Sequence, residues 1–150
     1  MSASSSNPYD AFNFSVEIAG VTAAVFTECT LPAVSIDVIE YREGADRLQN
    51  IHKLPGVVKY DNLILTHGLT SDTALWTWFS SFVEGTGTPT SLTVTLRDGQ
   101  GNQLIAWTFS KAWPVKYQSP VLNGKKSALA LETLELAVEG MKVLNLGQGT

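Results

Sequence analysis

Few residues in this chain of 150 have the types and spacing that chemistry would need. The two histidines, His52 and His67, each lie beside a predicted turn, with no cysteine or acidic residue at a metal-ligand spacing. The single cysteine, Cys29, could pair with His67 as a nucleophile and its base, since such partners need not be adjacent in sequence. No local signature accompanies that pair, and a lone cysteine is more often buried. Both histidines are therefore predicted to be structural or solvated.

Three other segments partly match known ligand-binding loops, but each lacks a feature that the loop requires. Residues 123–127 end like a phosphate-binding loop, but Ser119 stands where its first glycine is needed and no helix pattern follows. Residues 85–87 follow a predicted helix, whereas a dinucleotide-binding fingerprint follows a strand. Asp98 and Asn102 lack the downstream glutamate of a calcium loop. The sequence thus predicts no catalytic residue, no metal site and no cofactor, and therefore no enzyme.

The elements that would position these residues are organised around residues 53–85. Residues 54–56, Leu-Pro-Gly, predict a turn, and residues 57–66 predict a strand that is closed by a glycine at position 68. A helix follows over about residues 71–84, with Gly85 as its C-terminal stop. Side-chain oxygens that could cap its first turn belong to Thr70, Ser71 and Asp72. Its apolar face, predicted to pack on a sheet, carries Leu75, Trp76, Trp78, Phe79, Phe82 and Val83.

Alternating apolar and polar residues predict strands before and after that stretch. The strands before it cover residues 12–18, 23–29 and 34–41. Residues 42–52 are polar and aperiodic, which predicts either a long loop or a hairpin arm that orders only against a partner. After the helix, residues 92–97 and 105–109 form a β-hairpin around a turn at residues 98–102.

The C-terminal third is less regular in sequence. Residues 112–114, Ala-Trp-Pro, are predicted to end the hairpin, and the chain is irregular up to Gly124. A last strand covers residues 128–138, where the apolar residues change phase near Glu132 and Thr133, which indicates a β-bulge or a bend; periodicity alone also allows a short helix. Leu129 and Leu131 share one phase, whereas Leu134, Leu136 and Val138 share the other.

Composition and charge exclude several classes of protein. A net charge of −4 and a pI of about 5.0 argue against a nucleic-acid reader that neutralises phosphates. The sequence contains no run of about 18 apolar residues, the length that could span a membrane. The N-terminus also lacks the features of a secretory signal peptide. One cysteine cannot form an intrachain disulfide, so we expect folding in the cytoplasm. The length predicts one domain over residues 1–150, with flexible ends at 1–9 and 144–150.

Taken together, the ordered residues resemble the inner-tube proteins of contractile phage tails and phage tail-like contractile injection systems. The chain is also similar to the haemolysin-coregulated tube protein of type VI secretion. The segments that carry the resemblance are Glu40-Tyr41-Arg42-Glu43-Gly44, Lys53-Leu54-Pro55-Gly56, Lys59-Tyr60, Leu75-Trp76-Thr77-Trp78, Asp98, Gly101, Ala112-Trp113-Pro114-Val115-Lys116-Tyr117, Pro120-Val121-Leu122-Asn123, Leu134-Glu135-Leu136 and Glu139-Gly140. Two places depart from the family pattern: residues 124–127, and Val138, where a histidine is common.

The resemblance implies a small β-barrel or sandwich with one flanking helix, assembled as six-fold rings that stack into a hollow tube. The implied partners are copies of the chain itself, sheath, baseplate and tail-terminator proteins, and a protein or DNA cargo in the lumen, without direct membrane insertion. Assembly is implied in the bacterial cytoplasm, as part of a phage tail or an injection particle, with or without later release from the cell.

Two rival functions come from other classes. One is a free-standing β-sandwich binding module, for example for carbohydrate, which would use exposed tryptophans and which buried Trp76 and Trp107 would count against. The other is an enzyme built around Cys29. Core packing is the more favoured role of Trp76 and Trp78, because both fall on the apolar face of the helix.

Overall fold

The computed structural model describes residues 12–21, 26–44, 50–68, 73–125 and 130–147. Within those ranges the chain forms nine strands and one helix. In chain order they are β1 (Asn13–Ile18), β2 (Glu28–Thr30), β3 (Val34–Tyr41), β4 (His52–Tyr60), β5 (Leu63–Gly68), α1 (Ala74–Val83), β6 (Thr90–Arg97), β7 (Gln103–Gln118), β8 (Leu131–Ala137) and β9 (Gly140–Asn145).

The long strand β7 belongs to two antiparallel sheets. Its first part lies between β6 and β9, and β6 pairs in turn with β1. Its last part pairs with β8, and the order continues through β5 to β2. The change of partner occurs beside Lys111, whose φ of 50° lies in the left-handed region that few non-glycine residues occupy. One strand of 16 residues therefore joins both sheets.

Apolar side chains from both sheets meet in one core. The first sheet contributes Val16, Val94 and Phe109, and the second contributes Leu63, Leu134 and Leu136 along with other buried residues. Because β1, β5 and β8 bury alternate residues that belong to one core cluster, the two sheets pack face to face. The predicted fold class, a mainly β sandwich with one flanking helix, is confirmed.

The helix lies against the edge of the sandwich and covers less of the core than predicted. Leu75 is buried, but Trp76 remains 48% exposed and Val83 is exposed. Trp78 packs against the core, whereas Phe79 packs against Tyr117 and Phe82 stacks on Trp113, both in the last part of β7. The reason is that the two sheets already close the core between them, which leaves the β7 extension as the apolar surface for the helix.

Both ends of α1 can be compared with the prediction. The proposed capping residues Thr70, Ser71 and Asp72 lie outside the described residues, and the N-cap is Thr73, which makes no side-chain capping hydrogen bond. At the C-terminus, Gly85 has a φ of 82°, and its N–H donates to the carbonyl of Phe82. The N–H of Thr86 donates to the carbonyl of Ser81, which completes a Schellman motif and confirms Gly85 as the stop.

Prolines expected to break strands lie inside them instead. Pro55 lies within β4 and pairs with Val38, and Pro114 lies within β7 and pairs with Leu136. The pairing register shifts beside each proline, between Ile36 and Val38 in one case and between Pro114 and Lys116 in the other. A bulge accommodates a residue that has no N–H to donate, so neither proline ends its strand. The predicted irregular stretch from residue 112 is therefore wrong up to Gln118.

Three other boundaries differ from those predicted. Residues 57–66 form the end of β4 and the start of β5, because the chain turns at Asp61 and Asn62. β2 covers residues 28–30, so only residues 28 and 29 of the strand predicted over 23–29 belong to it, and residues 23–25 lie outside the description. Leu144 and Asn145, expected to be flexible, pair with β7, and Leu146 and Gly147 donate hydrogen bonds to Leu104. The predicted flexible end at 1–9 lies outside the described residues.

The predicted bulge at Glu132 and Thr133 is also wrong. β8 pairs with β5 in unbroken register from Leu131 to Leu136. The change of phase arises because Leu131 is exposed and Glu132 is buried, so the core-facing row contains a carboxylate where an apolar residue was expected.

Candidate assembly surfaces

The strands β3 and β4 form a two-stranded ribbon that is separate from the sandwich. Every residue of β3 is exposed, and the residues of β4 are exposed or half-exposed. Apolar side chains that lie open on the ribbon or beside its tip are Val34, Ile36, Val38, Ile39, Tyr41, Ile51, Leu54, Val57 and Val58. Exposed apolar side chains that are concentrated on one element in this way mark an interaction site. Residues 42–44 and 50–51 lie between β3 and β4 outside any strand, His52 begins β4, and residues 45–49 lie outside the described residues, so both alternatives for residues 42–52 stay predictions.

A β-bulge interrupts the ribbon halfway along. Ile36 pairs with Val58, but Val38 pairs with Pro55, so Gly56 and Val57 together oppose a single residue, Asp37. A Cβ at Gly56 would lie 3.1 Å from the carbonyl oxygen of Asp37 and 3.1 Å from the Ile39 side chain. The absence of a side chain at position 56 therefore lets the two strands approach closely at the bulge.

The first sheet has two strand edges that no described residue pairs with. One is the outer edge of β1 and the other is the outer edge of β9. Each strand has six residues, so the two edges have equal length. Unpaired backbone N–H and C=O groups along such edges can pair with a strand from another chain.

The turn after β6 is held by its own polar residues. Oδ1 of Asp98 accepts hydrogen bonds at 2.9 Å from the backbone N–H of Gln100 and of Asn102. The Asn102 amide donates a further hydrogen bond to Oδ2 at 3.2 Å. These donors, the Asn102 N–H foremost, hold the pKa of Asp98 below its ordinary value. The structure thus explains Asp98 and Asn102 by the turn that they hold.

The two histidines have different surroundings. His52 stacks on Tyr41 near the ribbon tip, with 5.2 Å between ring centroids. His67 is buried, and its Nδ1 donates a hydrogen bond of 2.9 Å to the carbonyl of Gly68. Its Nε2 lies 2.9 Å from Oε2 of Glu132, although no hydrogen bond of good geometry forms there. The Tyr117 hydroxyl donates to the other oxygen of Glu132.

No sequence pattern predicted this polar cluster of His67, Glu132 and Tyr117. The sequence did contain one signal for the cluster: Glu132 is an acidic residue in the same phase as Leu134 and Leu136. The change of phase in this segment concealed that signal. The cluster joins β5, β8 and β7 inside the fold, and Phe26 packs edge-on against the His67 ring at 5.6 Å.

The structure does not support Cys29 as an activated nucleophile. Burial raises the pKa of the Cys29 thiol to about 11, whereas a nucleophilic cysteine needs a lowered pKa. Both ring nitrogens of His67 face other groups, Gly68 and Glu132. Over the described residues, no group of three or more His, Cys, Asp or Glu side chains could hold a metal ion.

The tryptophans give a mixed result for the carbohydrate-binding alternative. Trp107 packs against the core, but Trp76 is not buried as expected. Its ring lies edge-on to Tyr117 at 5.1 Å and beside Phe79 at 5.8 Å. This packing holds the ring against α1 and β7, although one part of it stays open to solvent. In the part of the chain that the structure describes, no helix is long and apolar enough to cross a membrane.

Comparison with known families decides between the alternatives. Residues 10–142 match the model of the T4-like virus tail tube protein gp19 family. The chain belongs to that family. A tail tube protein is a structural subunit of the inner tube of a phage tail or injection particle, so the ribbon and the strand edges are candidate contacts within a tube.

Solved structures agree with this assignment. A chain of the PVC extracellular contractile injection system, in its extended sheath–tube complex, is 25% identical with a TM-score of 0.78, over 88% of each chain. A chain of the anti-feeding prophage baseplate, described as 6-fold symmetrised, is 20% identical with a TM-score of 0.74, over 98% of this tail tube protein and 99% of that chain. Hcp1 from Salmonella typhimurium is 17% identical with a TM-score of 0.59, over 93% and 90% of the two chains. The last two show a shared fold. A search of curated protein sequences found no match.

Proposed function

We propose that six copies of this tail tube protein close into a ring, and that the rings stack into a hollow tube through which a protein or DNA cargo passes. The chain acts as a single domain over residues 1–150 and has no enzymatic activity. Sheath proteins surround the tube, and baseplate and terminator proteins bind its two ends. Assembly takes place in the bacterial cytoplasm, with or without later release of the particle.

The observation that carries this proposal is the ribbon of β3 and β4. A two-stranded ribbon without further strands or a covering helix is at best marginally stable in water. Its apolar side chains gain about 25 cal/mol for each Å² of surface removed from water. Contacts between neighbouring subunits supply that burial, so the ribbon becomes ordered as the tube forms.

The free edges of β1 and β9 support ring closure. They lie on opposite sides of the first sheet and have equal length, so β1 of one subunit can pair with β9 of the next. A head-to-tail contact of this kind closes into a ring when a whole number of identical rotations between subunits makes one full turn. Closure removes every exposed edge of that sheet at once.

Electron microscopy and native mass spectrometry test the proposal directly. The purified protein, alone and co-expressed with a tail initiator, is imaged in negative stain and weighed under native conditions. We expect hexamers in the mass spectrum and rings or tubes in the images. A chain that stays strictly monomeric at high concentration, even with an initiator, would contradict the proposal.

A further inference from the structure

The segment that follows β7, described from Ser119 to Lys125, is open to solvent. All residues from Val121 to Lys125 are exposed, with Val121 at 86% and Leu122 at 75%. At position 123 this segment has an asparagine, which is followed by Gly124. No other asparagine in the sequence precedes a glycine, so the pair is unique in the chain. We call residues 119–125 the β7–β8 loop.

An asparagine that precedes a glycine can react with its own main chain. The backbone nitrogen of the glycine attacks the side-chain amide carbon, so that a C–N bond forms and closes a succinimide ring. The amide nitrogen leaves as ammonia and takes with it the proton that the backbone nitrogen gives up. Water then adds to one of the two ring carbonyl carbons and opens the ring, which leaves either aspartate or isoaspartate. Glycine favours ring closure because it has no Cβ to obstruct it.

The geometry of the β7–β8 loop prepares Asn123 for this reaction. Its Oδ1 accepts a hydrogen bond of 3.0 Å from the backbone N–H of Lys125. That bond turns the side chain back along the main chain, past the Gly124 peptide whose nitrogen is the nucleophile. It also draws electron density from the amide carbon, which makes that carbon a better electrophile. A Cβ placed at Gly124 would meet no described atom within 4 Å, so the ring has room to close.

Asn145 makes the same side-chain turn, but the nitrogen that would attack it is engaged. Its Oδ1 accepts a hydrogen bond of 3.1 Å from the backbone N–H of Gly147. The residue between them is Leu146, whose N–H donates at 2.8 Å to the carbonyl of Leu104. Attack by this nitrogen would break that hydrogen bond, and the Leu146 side chain would crowd the ring. The same turn therefore leaves Asn145 unreactive.

Asp98 precedes Gly99, but its carboxylate is held. An aspartate in this position forms the same ring with loss of water, provided that its carboxyl group is protonated. The backbone N–H groups of Asn102 and Gln100 donate to its Oδ1, and the Asn102 amide donates to its Oδ2. These hydrogen bonds, that of the Asn102 N–H foremost, keep the pKa of Asp98 below its ordinary value. The group therefore stays a carboxylate, which is a poor electrophile.

We propose that Asn123 and Gly124 form a self-modifying site, which converts through a succinimide to aspartate or isoaspartate with water as its only co-reactant. Asn145 and Asp98 stay unchanged in the folded chain. Each conversion replaces a neutral amide by a carboxylate beside the exposed pair Val121 and Leu122. In the isoaspartate product the main chain also runs through the Asn123 Cβ, which lengthens the loop. The inference goes beyond the proposed function and does not depend on it, because the reaction takes place within one chain.

A time course on the purified, folded chain at neutral pH tests the inference. Trypsin cleaves after lysine and arginine, so position 123 lies in peptide 117–125, position 145 in peptide 143–150 and position 98 in peptide 98–111. Mass spectrometry measures the mass gained when an amide becomes a carboxyl group, and enzymatic methylation of isoaspartate measures the isomerised main chain. A sample digested at time zero corrects for conversion during digestion, and a synthetic peptide of residues 117–125 gives the rate without the fold.

Gly124→Ala and Gly44→Ala are the matched variants. Both positions are open, since an added Cβ meets nothing within 4 Å, so urea unfolding should show both variants to be as stable as the wild type. Gly124→Ala should slow the conversion of Asn123 by about tenfold or more, because the new Cβ obstructs ring closure. Gly44→Ala should convert at the wild-type rate. That rate should be at least as high as in the synthetic peptide and should rise with pH, because the attacking nitrogen must lose its proton.

Three outcomes would contradict the inference, each at a different step. Conversion of the synthetic peptide but not of the folded chain would show that the loop protects Asn123. An unchanged rate in Gly124→Ala would refute attack by the Gly124 nitrogen. Conversion at position 145 or 98 as fast as at position 123 would show that the hydrogen bonds at those positions do not select the site. None of these results bears on whether rings or tubes form, so the proposed function is tested separately.

Discussion

At the residue scale, the cluster of His67, Glu132 and Tyr117 places charge inside an otherwise apolar core. Nδ1 of His67 must carry a proton, because the Gly68 carbonyl can only accept a hydrogen bond. Removing one member of a buried pair leaves the other without compensation, which makes such pairs sensitive to substitution.

Tyr117→Phe provides a pH-dependent test of this cluster. We expect the variant to lose about 1–3 kcal/mol of unfolding free energy at neutral pH, because Glu132 loses a hydrogen bond inside the fold. Desolvation, together with the hydrogen bond to Glu132 and its charge, raises the pKa of Tyr117 to about 12 from its ordinary value of 10.0. A raised pKa stabilises the protonated form, so the contribution is complete below about pH 10 and is lost as the pH rises through about 12.

Urea unfolding across that alkaline range measures the effect. The difference between the wild type and Tyr117→Phe should shrink between about pH 10 and pH 12. The absorbance of the tyrosinate band is titrated for both proteins. The difference between the two curves gives the ionisation of Tyr117, because the other tyrosines are present in both. A difference that stays constant over this range would show that the Tyr117 hydroxyl does not couple to stability.

At the same scale, sequence patterns located most apolar core residues but not the buried charge. Val16, Val94 and Leu134 follow the alternation that predicted their strands, and all three are buried. Glu132 could not be found in this way, since a carboxylate at a core position is stable only beside His67 and Tyr117. Those residues are distant in sequence, and strand pairing brings them together.

At the element scale, the chain after α1 passes so close to the Phe82 ring that there is no room for a side chain at Gly87. A Cβ at that position would lie 2.5–2.6 Å from the Phe82 ring, which stacks on Trp113 and packs against Trp78. Gly87→Ala should therefore displace the ring and cost about 1–3 kcal/mol of stability, the usual range for overpacking. Gly124→Ala is the control: its Cβ would meet nothing within 4 Å, and we expect a change within about 0.5 kcal/mol. Chemical unfolding compares the two, and equal effects would mean that the helix shifts freely on β7.

Element boundaries were predicted less well where proline and glycine occur. The prediction that Pro55 and Pro114 break their strands is wrong, because each lies beside a bulge in a continuing strand. The same residue types mark a turn in one context and a bulge in another, and only the partner strand distinguishes them. In contrast, the β6–β7 hairpin, whose turn is fixed locally by Asp98, was predicted correctly.

At the scale of the whole molecule, the connection at the ribbon tip provides a test of stacking. Replacing residues 43–50 with a short Gly-Ser linker leaves the sandwich and both strand edges intact. If the tip reaches the next ring, this variant should still form isolated rings while long tubes disappear. Negative-stain images give the length distribution, with the wild type prepared in parallel. Tubes of normal length from the variant would show that the tip connection is dispensable.

The function could be predicted from the sequence, whereas the surfaces that perform it needed the structure. Ordered matches such as Lys53-Leu54-Pro55-Gly56 and residues 112–117 identified the family. They did not show that β3 and β4 stand apart from the sandwich, because alternation in residues 34–38 predicts a half-buried strand and not one exposed on both faces. In a protein that functions by assembly, apolar residues can be buried by neighbouring subunits as well as in the chain's own core. The sequence pattern of one chain does not distinguish these two kinds of burial.

The continuity of β7 also has a mechanical consequence. Strands held by hydrogen bonds can be peeled apart one bond at a time, whereas peptide bonds resist the same load. Because one strand of 16 residues serves both sheets, thrust on either sheet passes to the other along the covalent backbone. A load on one sheet of this subunit therefore reaches the other without depending on hydrogen bonds alone.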